Sequence, residues 1–392
     1  MRLTVPQEIQ PRQPAAGPSC REPERIPLAR PNISQAEIDA VVEVLQSPHL
    51  SFGPRLREFE EAFARYCNTE FAVACSSGTA GLHLLLHAVD VQPGDEVITT
   101  PFSFIASANC ALMMGGKPVF VDIDPHTWNI QPDLIEKAIT QQTKAILPVD
   151  VFGQIVDMES ILDIARRHDL RVIEDSCEAL GSRYQDRPAG SFGDAGVFGF
   201  YPNKQITTGE GGMIVTNDRD VAAICRSLRN QGRDTDGGWL SHPRLGYNYR
   251  LSDIHCAVGL AQLRRIDEIL SARRRVEALY QPRLANEPRL VMQEIRPEVQ
   301  MSRFVFVVRL ADEYDPDARD RILAGLRDRG IGCSNYFAPI HLQPFYVERF
   351  GFKPGDFPIC ERVAARTIAL PFHHELTEED VDTVCRELRR LL

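Results

Sequence analysis

The chain has 392 residues, 43% of them hydrophobic and 25% charged, with a formal net charge of −10. This is the composition of a soluble globular protein. Its negative balance gives the surface as a whole no reason to seek nucleic acid or an anionic membrane. No stretch approaches the ~20 continuous apolar residues of a membrane span. Residues 1–24 are rich in Pro, Gln, Glu and Arg and lack an apolar h-region, so they read as a poorly ordered tail rather than a secretory signal. The ten cysteines are scattered, with no CxxC. That predicts reduced thiols, no metal site and a cytoplasmic protein.

Two amphipathic helices come first, "SQAEIDAVVEVLQSP" with a good N-cap and "PRLREFEEAFARYCN". A repeating order follows. Apolar runs ("FAVACSS", "DEVITTP", "KPVFVDID", "KAILPVDV", "RVIEDS") alternate with helical ones ("TAGLHLLLHAVD", "FIASANCALMMG", "PDLIEKAIT", "MESILDIARRHD"), and a short helix is expected after the last strand. Strands apolar throughout and separated by helices predict an α/β fold with a mostly parallel sheet covered on both faces. "GVFGFY" and "GGMIVTND" look like its last strands, as a hairpin. Residues 252–284 read as one long helix. Beyond it "RFVFVVRL" and "IGCSNYF" read as strands, and "ARDRILAGLRDRG" and "TEEDVDTVCRELRRLL" as helices. A single core stops growing at about 250–300 residues. The division expected is therefore a large α/β unit over residues 25–251 and a smaller C-terminal α+β unit over 252–392, with the first helix able to pack on the small unit.

Ligands of open parallel sheets bind outside the carboxyl ends of the strands, and three stretches fall there. In "CSSGTAGLH", Ser77, Gly78 and Thr79 open a helix whose free N–H groups suit a phosphate. In "RVIEDSCEALGS", Asp175 ends an apolar strand and Glu178 lies one turn on. In "FYPNKQITTGEGG", Lys204 sits between a Pro-Asn turn and glycines. Each alone has a commoner explanation: an N-cap for the first two, a surface lysine for the third. Together, an anion cup, an acid and a confined amine match pyridoxal 5′-phosphate (PLP), which has a phosphate, a pyridine nitrogen and an aldehyde that condenses with lysine. Amines near pKa ~10.4 are poor nucleophiles at neutral pH, and partial burial activates them. An aspartate ~4 Å from a pyridinium gains about 4 kcal/mol at an effective dielectric of ~20, before desolvation. In "TPFSFIASAN", Phe104 could stack on the ring, while Phe102 reads as core. His83 and His87 are four apart, but the apolar helix around them argues for packing rather than zinc.

On these residues, and on "KPVFVDID", "GSFGDAGVFGFYPNKQITTGEGG" and "GYNYRLSDIHCAVGLAQL", the chain resembles the DegT/DnrJ/StrS family of PLP-dependent sugar aminotransferases, of fold type I, from residue 26 onward. The resemblance implies a seven-stranded-type sheet and a homodimer with shared active sites. Lys204 would bond the cofactor and Asp175 would pair with its pyridine nitrogen. Gly78 and Thr79 would hold its phosphate, helped by Ser77. Phe104 would stack on its ring, and Glu178 would lie beside its phenolic oxygen. Asn248 would reach the phosphate of the other subunit's cofactor. Residues 50–54 and 335–346 resemble substrate-facing segments. One departure is Gly199, where many members have a phosphate-binding serine. The dehydrating branch of the family replaces the lysine with histidine, so Lys204 favours transamination.

The expected reaction passes an amino group from glutamate, or a similar donor, to a keto-sugar attached to a nucleoside diphosphate, in surface polysaccharide or glycoside biosynthesis. Arg30, Arg229 and Arg233 are candidate partners for the diphosphate. The alternatives are a PLP enzyme acting on a cyclitol or other non-nucleotide keto compound, and a non-catalytic PLP-binding regulator. A nicotinamide dehydrogenase lacks its glycine fingerprint.

Overall fold

A computed structural model of the chain describes residues 25–234, 241–315 and 317–392. The tail expected over residues 1–24 lies outside the described residues. Helices α1 (Gln35–Leu45) and α2 (Pro54–Cys67) lead into alternating strands and helices: β1 (Phe71–Cys75), α3 (Gly78–Ala88), β2 (Glu96–Thr99), α4 (Ala106–Met113), β3 (Lys117–Phe120), α5 (Pro132–Ala138), β4 (Thr143–Ile146), α6 (Met158–His168) and β5 (Arg171–Asp175). A small hairpin, β6 (Arg183–Tyr184) and β7 (Arg187–Pro188), precedes β8 (Ala195–Gly199), β9 (Gly212–Thr216) and α7 (Arg219–Arg229).

The main sheet has seven strands in the order β1-β9-β8-β5-β4-β2-β3. From β8 through β5, β4 and β2 to β3 every pairing is parallel, and β9 runs antiparallel to both β8 and β1. The last two strands therefore form the expected hairpin. Its apolar residues are buried on both faces. Leu82, Leu85 and Cys110 from α3 and α4 and Val221 from α7 pack on one side. Phe59, Phe63, Ile135 and Ile161 from α2, α5 and α6 pack on the other. Parallel strands sandwiched in this way must be apolar throughout, as the sequence runs are.

Helices α8 (Asp253–Arg264) and α9 (Ile266–Leu284) follow. The single long helix read from the sequence is broken at Arg265, whose backbone leaves the helical region (φ −111, ψ 19). Its guanidinium is held by Glu37, Glu268 and the Asn32 side chain. That tertiary clamp, invisible in the local pattern, fixes the joint. Then come β10 (Leu290–Met292), β11 (Val299–Gln300), β12 (Phe306–Leu310), α10 (Ala318–Arg327), α11 (Pro344–Phe350), α12 (Pro358–Ala364), β13 (Thr367–Leu370) and α13 (Glu378–Leu391). Strands β10, β12 and β13 make a second sheet, and β11 pairs with the β6 hairpin. Val276, Tyr280 and Leu284 of α9 pack against Phe306, Ile322 and Leu388 beneath that second sheet. Cys256, Leu260 and Leu270 belong instead to the core of the main sheet.

Two further expectations differ. The segment after β5 is a pair of turns rather than a short helix, and "IGCSNYF" makes only isolated bridges through Ile331 and Ser334 instead of a strand. Its alternation pattern is that of a strand, but its backbone is spread between two different neighbours, Ile26 and Ala369.

Candidate active site

The carboxyl ends of β1 and β5, the turn after β8 and the segment before α4 surround a cavity of about 500 Å³. Ser77, Gly78, Thr79, Phe104, Asp175, Glu178 and Lys204 all line it. They arrive from four places: the start of α3, the segment before α4, the end of β5 with the turn after it, and the turn after β8. α3 begins at Gly78, with the Ser77 hydroxyl accepting from the Ala80 N–H at 3.0 Å, so the first turn directs its amides toward the cavity end. A Cβ on Gly78 would stand 2.7 Å from Cys177 Sγ, so that close approach requires glycine. Asp175, the last residue of β5, is buried and accepts from the Ser107 hydroxyl at 2.6 Å and the Cys177 N–H at 3.3 Å.

Lys204 lies in a turn tied by its own N–H to the Tyr201 carbonyl. Its Nζ is 3.4 Å from Glu178 Oε1 and 3.8 Å from the centroid of the Phe304 ring, and its side chain is 15% exposed. Lysine is rarely so enclosed without a use for the amine. Glu178 is anchored through Oε2 by the Phe152 N–H at 2.9 Å. Burial pushes its carboxyl up, against the opposing pull of Lys204 and the Phe152 amide. Phe102 is fully buried against Phe152 and Phe337, as its core reading required, whereas Phe104 is 62% exposed at the cavity mouth.

Asn248 does not line this cavity; it pairs through its backbone with Asn230. Among the segments expected to face substrate, Tyr336 and Phe337 contribute to the wall, but residues 50–54 do not. The candidate arginines are elsewhere: Arg30 pairs with Glu375, Arg229 is buried against Glu60, and Arg233 is not among the lining residues. Lys204 is the one cation among the described lining residues. His83 meets the Tyr249 hydroxyl and packs on Tyr247. Among the described residues no cluster of His, Cys, Asp and Glu could hold a metal. The local pattern gave no notice of Phe304, Ser107 or Cys177. The only signal was the small polar or aromatic character of residues standing next to motifs already singled out.

The profile of the DegT/DnrJ/EryC1/StrS aminotransferase family matches residues 31–389. The chain belongs to this family. It is 44% identical over 373 residues to the GDP-perosamine synthase of Caulobacter vibrioides, an alignment covering 94% of this chain and 98% of the relative. Its structure is similar to that of PseC from Helicobacter pylori, an aminotransferase involved in the biosynthesis of pseudoaminic acid (TM-score 0.87, 31% identity, 93% and 98% of the two chains). It is also similar to the putative sugar aminotransferase Spr1654 from Streptococcus pneumoniae in its PMP-form (TM-score 0.88, 29% identity, 94% and 99%). This member of the DegT/DnrJ/EryC1/StrS family is a PLP-dependent aminotransferase. The cavity fits that cofactor: an amide-rich helix start with no Cβ at its tip, a buried carboxylate and an enclosed amine line one space.

Proposed function

We propose that this chain converts a keto-sugar carried on a nucleoside diphosphate to the amino-sugar, with glutamate as amino donor, for surface polysaccharide or glycoside biosynthesis. Its 44% identity to an enzyme named for a GDP-linked product favours a GDP-linked substrate. The observation that carries the reading is the convergence of Lys204 Nζ and the Asp175 carboxylate on one cavity.

PLP, when bound, supplies an electron sink that acidifies the hydrogen on the carbon bearing the amino group. The residues would divide the remaining work. The first-turn amides of α3 at Gly78 and Thr79, with the Ser77 hydroxyl, would hold the phosphate. Asp175 would meet the pyridine nitrogen, and Phe104 would cover the ring. Glu178 would hold the phenolic oxygen. Lys204 would bond the cofactor at rest and, freed by the donor, would take and return a proton at Nζ. Glu178 and the Phe304 ring keep that amine in place. Among the described residues the walls carry Asp175, Glu178 and Glu210 against a single lysine, which favours cations from a second copy of the chain for a diphosphate. The active form is accordingly a homodimer, in which Asn248 of each subunit serves the other's site. The nine free thiols among the described residues suit the reducing cytoplasm.

Absorbance of the purified protein before and after glutamate tests the reading. The expected protein is yellow with PLP, bleaches with glutamate, recovers with a GDP-linked keto-sugar, and shows ping-pong kinetics. Lys204→Ala should bind PLP without the lysine-bonded absorption and lose turnover by at least ~10³-fold. Recovery with a keto-cyclitol but with no nucleotide sugar would replace the substrate assignment. Unchanged absorption in Lys204→Ala would remove the lysine from its role.

A further inference from the structure

Two serines beside the cavity have no part in the roles assigned above. α4 starts without a side-chain cap, its N-cap position being Ile105, although Ser103 and Ser107 stand at that end of the helix. Their hydroxyls are turned elsewhere. Ser107 Oγ is 2.6 Å from Asp175 Oδ2 and 2.8 Å from Ser103 Oγ, and all three residues are buried. A hydroxyl has one proton to give. A carboxylate oxygen accepts, so Ser107 donates to Asp175 and must accept from Ser103. The chain of donors therefore has one direction, Ser103 to Ser107 to Asp175. The same short segment carries Phe104 into the cavity mouth, so one turn of backbone sets both Phe104 and the orientation of the acid.

We propose that Ser107, backed by Ser103, is a positioning residue that fixes the rotation of the Asp175 carboxylate toward the pyridine nitrogen of the cofactor. This rests on the reading that Asp175 meets that nitrogen. A hydroxyl that only filled space would be replaceable by hydrogen. One that orients a buried carboxylate is not, because a bond to a charged group is among the stronger hydrogen bonds.

The test uses the full-length holoenzyme loaded with PLP labelled with ¹⁵N at the pyridine nitrogen, and reads the nitrogen chemical shift and the PLP dissociation constant. Ser107→Ala should move the shift in the same direction as Asp175→Asn and weaken PLP retention about tenfold to hundredfold. Ser103→Ala should act in the same direction and less, and it serves also if Ser107→Ala folds poorly. Ser107→Thr, which keeps the hydroxyl, should restore the wild-type signal. Wild-type shift and affinity in both serine-to-alanine variants, with Asp175→Asn displaced, would overturn the inference and leave Asp175 in its role. Wild-type signals in Asp175→Asn as well would remove Asp175 from the nitrogen and end both.

Discussion

His373 is 4% exposed, and neither of its ring nitrogens has a hydrogen-bond partner. Burial, with His374 and Arg30 nearby, pulls its pKa down to about 4. A base whose folded pKa is depressed contributes stability that is fully present above its unfolded pKa of ~6.5 and is lost as pH falls toward the folded value. The window is thus pH 6.5 to 4. His373→Leu removes the titration and two unpaired polar atoms. The variant should be at least as stable as the wild type at pH 7.5, and the wild type should lose on the order of 2 kcal/mol more than the variant by pH 4.5. Urea unfolding at the two pH values measures this; parallel losses would place the titrating group elsewhere. At this scale the sequence was informative where a residue's place in the cavity depends on its own strand end. Ser77, Asp175 and Lys204 could be found because a parallel sheet brings the carboxyl ends of β1 and β5 and the turn after β8 to one rim. Phe304 could not, because it reads as one more apolar residue of "RFVFVVRL". Only the fold of the C-terminal part over the main sheet brings its ring to Lys204.

The turn after β5, the start of α3 and the end of β8 meet at Cys177, whose thiol fills the space beside Gly78 and Gly199. The two glycines differ. Gly78→Ala would put its Cβ 2.7 Å from Cys177 Sγ. We expect it to weaken PLP binding by about tenfold or more, with Cys177→Ala in the same chain restoring most of the loss. At Gly199 an added Cβ would rest 3.4 Å from the same sulfur, an ordinary contact at an unstrained φ. Gly199→Ser should therefore cost roughly 1 kcal/mol or less of stability and hold PLP at least as tightly as the wild type. Thermal melts and PLP titrations of the three variants check both statements, and a Gly199→Ser protein that loses the cofactor would show that the thiol needs the space. Element boundaries were legible where caps mark them, as at Ser34 and Thr377, and illegible where a distant partner decides. Arg265 splits what reads as one helix because Glu37, from the start of the chain, holds it there. By the same packing we propose that α9 passes from the large unit to the small one between Leu270 and Val276. Within this helix Ile266, Ile269 and Leu270 pack under the main sheet, and Val276, Tyr280 and Leu284 under the second.

The molecule leaves apolar surface uncovered in a pattern. Ile38, Val42 and Leu45 form a helical stripe on the outer face of α1, and Leu50 and Phe52 follow it in the chain, all of them at least 44% exposed. A lone soluble chain rarely leaves so contiguous an apolar strip in water, and a second copy is the occupant proposed for it. Val42→Asp together with Leu45→Asp should shift the mass in light scattering from twice the 44.0 kDa chain mass to that of one chain, with loss of turnover. A dimer that survives would move the interface elsewhere. Shared sites make a stricter demand. Asn248 does not reach the cavity of its own chain, so in the proposed dimer each site takes Lys204 from one subunit and Asn248 from the other. Lys204→Ala and Asn248→Ala proteins are each expected to be impaired in both sites. Mixed and allowed to exchange subunits, half of the dimers are hybrids, and each hybrid holds one site with both wild-type residues. Activity should then rise to about a quarter of the wild-type value, as random pairing of subunits in a twofold dimer requires. Native mass spectrometry shows whether hybrids form. Hybrids present without any gain in activity would mean that Asn248 serves no site across the interface.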